Sequence, residues 1–239
     1  MSALGRIAVP LGLTLLYGFV LAPIVLVVLI SFSADNFIRF PPQQWGIRWY
    51  RALLHNAAFL AAFRTSAILA ATVTLLNLTI GIPAAYAISR LRFRGRDALF
   101  AFLTAPLLLP SIVLGLSILL AFSPLKLVAT YPGLTLAHMV ITLPFVVRII
   151  ATALSTLPPD IEDAAATLGA PPARVFQRVT LPLMIPGVIA ASALAFILSF
   201  DEVVISLFIV GPQLSTLPVE VFHYVENRTD PWWQHCARS

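Results

Sequence analysis

Five long stretches of this sequence contain no Asp, Glu, Lys or Arg: 7–34, 65–89, 98–125, 127–147 and 179–200. Each reaches the roughly 20 residues that cross a bilayer as an α-helix. A chain that must bury so much apolar surface has little choice of solvent, and its composition agrees: 59% hydrophobic and 10% charged, where a soluble domain is about a quarter charged. The mean hydropathy is +0.94. The runs are continuously apolar and do not alternate apolar with polar, so spanning helices are expected and not barrel strands. The expected fold is an all-α membrane protein of one transmembrane domain, 1–239, with helices at about 7–33, 64–89, 98–122, 134–155 and 183–210.

Arg6 alone precedes the first run, which lacks a small-residue cleavage site and is expected to be a retained helix. The one cysteine, Cys236, has no internal partner, and His55, His138, His223 and His235 lack metal-ligand spacing. No catalytic cluster, metal site or cofactor motif is expected. The net charge of +5 comes from arginines at helix ends, which suits anionic lipid, so the bilayer is an expected partner and nucleic acid is not.

Orientation follows from the hairpin "SRLRFRGRD", where Arg90, Arg92, Arg94 and Arg96 crowd a short loop that should stay cytoplasmic. By alternation the N-terminus and 156–182 are cytoplasmic, and 34–63 and 123–133 are outside. Arg39, Arg48, Arg51 and Arg64 then fall outside, so the density of the shortest loop decides, not the total. Trp45, Trp49 and Tyr50 in "WGIRWYRALLHNAAFLAAF" suggest an amphipathic interfacial helix. Pro83, Pro106, Pro110, Pro124 and Pro144 mark bends, and Gly115 with Ser117, or Ala84 with Ala85, allow close helix packing.

The polar loop 156–182 is the exception to all this oil. Asp160 is expected to cap a helix, with Asp163 completing a weak capping box. Ile161, Ala164, Ala165 and Leu168 form one apolar stripe, Gly169 supplies a left-handed end, and Pro172 opens a second short helix, "ARVFQRV". Leu181, Pro182 and Pro186 lead into the next span. A two-turn helix is marginal alone and needs something to dock against, either its own chain or another protein.

Asp163-Ala164-Ala165, Gly169, Val179 and Leu181-Pro182, at these spacings, resemble the Glu-Ala-Ala loop of ABC-importer permeases, with Asp163 in place of the usual Glu and Val179 in place of Ile. The resemblance runs from about Leu11 to Asp230 and is strongest to spermidine/putrescine-type permeases. It implies a type I ABC-importer permease fold in the bacterial cytoplasmic (inner) membrane, with 156–182 as a cytoplasmic coupling loop in which Glu162 shares the acidic role. It also implies cytoplasmic ABC ATPase subunits, a second permease subunit and an extracytoplasmic solute-binding protein. The chain has no phosphate-binding loop of its own and is not expected to be an enzyme. Alternatives are the same architecture for another small solute, a self-contained secondary transporter or channel, and a membrane-embedded enzyme.

Asp201 and Glu202 lie side by side inside an apolar run, where charges are costly. At about 1.5 Å per residue from Pro186, they sit roughly 22 Å along the helix. They could line a path for a cationic solute, pair with an arginine, or mark the helix end. Arg148 is expected to snorkel, and Arg174 and Arg178 to meet the ATPase or lipid phosphates. After Val210 no uninterrupted run of about 18 apolar residues remains. The sixth helix that the resemblance implies is therefore expected to be missing, with 211–239 an atypical tail, truncated or frame-shifted. The alternative is a natural five-helix chain with Trp232 and Trp233 at the interface.

Overall fold

A computed structural model describes residues 3–35 and 39–229. Two compact units divide at Leu60. Trp232, Trp233 and Cys236 lie outside the described residues. Among those described there is no β-strand, only two isolated bridges.

In the first unit, α1 (Ala3–Ser31) begins a turn before the expected boundary, and its stretch Pro10–Ser31 is long and apolar enough to cross a membrane. The chain then closes a loop on itself. Ser33 bridges Trp45, and the Asp35 carboxylate accepts from Gln43 N at 2.8 Å and Gln44 N at 3.2 Å. Trp49 donates through Nε1 to Asp35 O, and the Tyr50 hydroxyl donates to Ser31 Oγ at 2.7 Å. The expected interfacial helix is thus replaced by the seven-residue α2 (Arg48–Leu54). The reason is Asn56, whose Oδ1 accepts from Ala58 N at 3.0 Å and Phe59 N at 3.3 Å, capping a new helix in mid-segment. That helix, α3 (Ala57–Arg90), starts about two turns before the expected residue 64.

In the second unit, the expected helix 98–122 is bent sharply. α4 (Arg96–Thr104) runs into a 3₁₀ turn, Ala105–Leu108, and α5 (Ser111–Phe122) departs at 109° to them. Pro110 has no N–H to continue the ladder and pushes Leu109 into extended backbone, at ψ 138°. α6 (Tyr131–Ser155) begins a turn early because Thr130 caps it, accepting from Gly133 N at 3.1 Å. The loop helix α7 (Asp160–Thr167) precedes α8 (Pro172–Val175), a π turn at Phe176–Thr180 and the single turn α9 (Leu181–Leu183).

The expected helix 183–210 is also interrupted. α10 (Ile185–Phe200) meets the segment Pro172–Leu183 at 69°, and a break at 201–203 separates it from α11 (Val204–Ile209). Within 211–229 of the expected atypical tail, α12 spans Leu217–Thr229 with Val219 fully buried. Among the described residues three helices are long and apolar enough to span, or up to five if each bent pair is one span.

Two apolar clusters form the core. One joins Ala85 and Ile88 of α3, Val146 to Leu154 of α6, and Met184, Ala191 and Ala195 near and within α10. The other joins Leu69 and Val73 of α3 to Leu114, Ile118, Leu134, Ala137, Ile205 and Ile209. Along α3 and α6 a buried polar layer lies between them: Asn77 Nδ2 donates to Thr142 Oγ1 at 2.6 Å, and Thr142 Oγ1 donates to His138 O at 2.7 Å.

α5 packs tightly on α11 at Gly115, where an added Cβ would lie 2.6 Å from the Phe208 ring. Ser117, by contrast, is exposed and bonded to Val113 O. Gly115→Leu should therefore lower stability by about 1–3 kcal/mol through overpacking, while Ser117→Leu should be close to neutral. Thermal unfolding of the detergent-purified protein checks the contrast.

Candidate functional site

The loop 156–182 is built around a self-contained turn. Pro159 already has helical angles, φ −61° and ψ −27°, so α7 starts at Asp160 itself. No side chain caps it; the Pro159 carbonyl accepts from Glu162 N and Asp163 N instead. The expected Asp160 cap and Asp163 capping box are therefore absent, although three acids still occupy the first turn, where the helix dipole favours them. The other end forms as expected: Gly169 has φ +82°, its N–H bonds Ala166 O at 2.9 Å, and Ala170 N–H reaches back to Ala165 O at 3.3 Å. This pair of bonds is a Schellman motif.

The apolar stripe does not face the chain's own core. Leu168 is 90% exposed, Ile161 and Ala164 are exposed, and Ala165 is half-buried. Asp163, Arg174, Arg178 and Pro182 are exposed, whereas Val179 and Leu181 are half-buried and Leu181 packs on the cluster around Met184. Glu162 turns the other way. Its Oε1 accepts from Arg90 Nε at 3.0 Å, and Oε2 accepts from the Tyr86 hydroxyl at 3.3 Å. Arg90 Nη2 also donates to Leu157 O at 2.8 Å, and the Tyr86 ring meets Phe176 edge-on at 4.9 Å. Tyr86 and Arg90, four apart in the last turns of α3, thus hold both limbs of the loop. Arg90 carries a topology signal in the sequence, but its partner 72 residues away does not.

The acidic pair separates in the same manner. Asp201 is exposed at the end of α10. Glu202 is half-buried, and its Oε1 accepts from Ile205 N at 2.9 Å, capping α11. His138, fully buried, spans the break: Nδ1 lies 2.9 Å from Ser199 Oγ on α10 and Nε2 lies 3.0 Å from Ser206 Oγ on α11. Ser206 Oγ donates in turn to Glu202 O. Arg148 is exposed on α6 and does not join this site. Among the described residues no cluster of His, Cys, Asp or Glu could hold a metal ion.

A helix-turn-helix braced at the end of three long apolar elements agrees with the sequence comparison, in which residues 77–225 match the family described as the binding-protein-dependent transport system inner membrane component. The chain belongs to that family. This permease is 36% identical over 228 residues to the putrescine transport system permease protein PotI of Escherichia coli (strain K12), covering 92% of this chain and 79% of that one. It is 31% identical over 220 residues to the spermidine/putrescine permease PotC of the same organism, covering 92% and 83%. The molybdenum permease ModB of Mycobacterium bovis is 35% identical over 202 residues, covering 78% and 75%. The crystal structure of a bacterial ABC transporter that imports the acidic polysaccharide alginate shares the fold, with a TM-score of 0.75 at 18% identity over 99% of this chain and 86% of that one.

The permease is thus an inner-membrane translocation component of a binding-protein-dependent importer, and not an enzyme. Permeases of this family work with ATPase subunits, a second permease subunit and a solute-binding protein. The geometry at the break makes a prediction about folding. Glu202→Gln keeps an oxygen at the capping position and should preserve stability, whereas Glu202→Leu should cost about 1 kcal/mol. His138→Ala strands the buried Ser199 hydroxyl, leaves Ser206 with only its bond to Glu202 O, and should cost about 1–3 kcal/mol. Melting temperatures of the purified variants should fall in that order.

Proposed function

We propose that the loop 156–182 is the cytoplasmic docking element for the ATPase, with Leu168 as its apolar anchor and Asp163, Ala164, Ala165 and Gly169 shaping the surface around it. The observation that carries this reading is the outward stripe. A leucine left 90% exposed at the tip of a polar loop, on a turn whose backbone bonds are internally satisfied, has the character of a residue that fills another protein's pocket. Val179, Leu181 and Pro182 join the docking surface to α10, so that a push on the loop is delivered to the helix that carries Asp201. Gly169→Val should strain the left-handed position, and Leu168→Asp should place a charge in the docking pocket. Both variants should assemble in the membrane but recover little ATPase on co-purification. Wild-type recovery from Leu168→Asp would rule out docking through this residue.

The cargo is a small cation of the polyamine class. Support comes from the two polyamine permeases that match over 92% of the chain, and from the exposed carboxylate of Asp201 at the helix break. Glu202 acts there as a cap and not as a ligand for the solute, because one of its oxygens is committed to Ile205 N. A second reading is a different small solute, favoured by the 35% identity to a molybdenum permease. In proteoliposomes holding the full importer and its binding protein, putrescine or spermidine should stimulate hydrolysis and be taken up, and Asp201→Asn should reduce uptake more than Glu202→Gln does. Stimulation by molybdate alone would select the second reading.

A further inference from the structure

α6 and α10 continue directly into the loop along the chain, through 156–159 and 181–184, but α3 does not. Its link is made by side chains from its last turns. Arg90 grips the first limb twice, at the Glu162 carboxylate and at the Leu157 carbonyl. Tyr86 grips both limbs, through its hydroxyl on Glu162 and its ring on Phe176. The charged atoms are well shielded, with side-chain exposures of 13% for Arg90 and 16% for Glu162, so the pair escapes most of the solvent screening that makes surface ion pairs weak. Further along α3, Asn77 donates to Thr142 Oγ1, and that hydroxyl donates to the carbonyl of His138, the residue that spans the helix break.

We propose that Arg90 is the positioning residue through which movement of the loop reaches α3, the Arg90–Glu162 pair being a side-chain tie that couples a third long helix to the two joined covalently. This rests on the docking role of the loop. The tie is separable from docking because the turn at Gly169 closes with its own backbone bonds and the Leu168 side chain stays exposed to solvent. Cutting the tie therefore leaves a loop that still holds the ATPase, while α3 no longer follows it.

The test compares Arg90→Glu, Glu162→Arg and the double exchange in the full reconstituted importer, measuring bound ATPase, ATP hydrolysis and solute taken up per ATP. Arg90→Glu, on α3 and outside the docking loop, should keep the ATPase and its hydrolysis but lower uptake per ATP, by roughly 2- to 150-fold for the coupling expected inside an ion-paired network. Glu162→Arg lies within the docking loop and serves as the partner for the double exchange, which should recover a large part of the loss in uptake per ATP seen with Arg90→Glu; a purely structural role in folding would not produce that change in the ratio. Wild-type uptake per ATP in Arg90→Glu would overturn the proposal. So would a double exchange with uptake per ATP no better than that of Arg90→Glu, or loss of the ATPase from Arg90→Glu. Leu168→Asp, run alongside, reports on docking alone: if it keeps the ATPase, the docking role fails while the exchange still decides the link to α3.

Discussion

A hydrocarbon slab offers no hydrogen-bond partners, so each break in an apolar helix must be satisfied from within the chain. That constraint explains the polar residues buried around the break after α10. At the break after α10, Glu202 supplies its carboxylate to Ile205 N, Ser206 donates to Glu202 O, and His138 joins Ser199 to Ser206. The break is therefore a fixed kink and not a loose joint. It leaves one acid, Asp201, outside the bonded set, and this is why two adjacent carboxylates have different surroundings.

The same economy appears at the other end. The polar loop would be a liability if its groups were unpaired at the edge of the bilayer, yet its turn closes on itself and its inward acid finds Arg90 and Tyr86. Between the two ends, apolar clusters alternate with the layer of Asn77, Thr142 and His138. Helix packing by dispersion alone is weakly selective in register, and a buried layer of directional bonds supplies the register that the leucines and valines cannot.

Much of this was legible in the sequence because composition and spacing report on local physics. Charge-free runs gave the apolar elements, the Gly169 spacing gave a left-handed turn that forms, and Asp163-Ala164-Ala165 to Leu181-Pro182 gave the family. Interruptions were less legible. Pro110 marked a bend but not its 109° size, and the turn at 201–203 falls within a stretch that reads as one helix, 183–210, until the bond geometry reveals a capped restart. Capping was misjudged where Pro159, already helical, displaced Asp160 from the cap position, and where Asn56 began α3 two turns early. Partners distant in sequence, Arg90 with Glu162 and His138 with Ser199, leave no periodic trace in a single chain.

The turn at Gly169 is specified almost entirely by its own short segment: its two closing bonds, its left-handed glycine and the proline that starts the next helix all lie within Asp160 to Pro172. The helix break around Asp201 draws on α6, α10 and α11 instead. On the proposed roles of the two sites, changes that alter what is carried can thus accumulate in one part of the gene while the plug that fits the motor stays as it was. A lineage built on such a chain can diversify its diet without having to reinvent its engine.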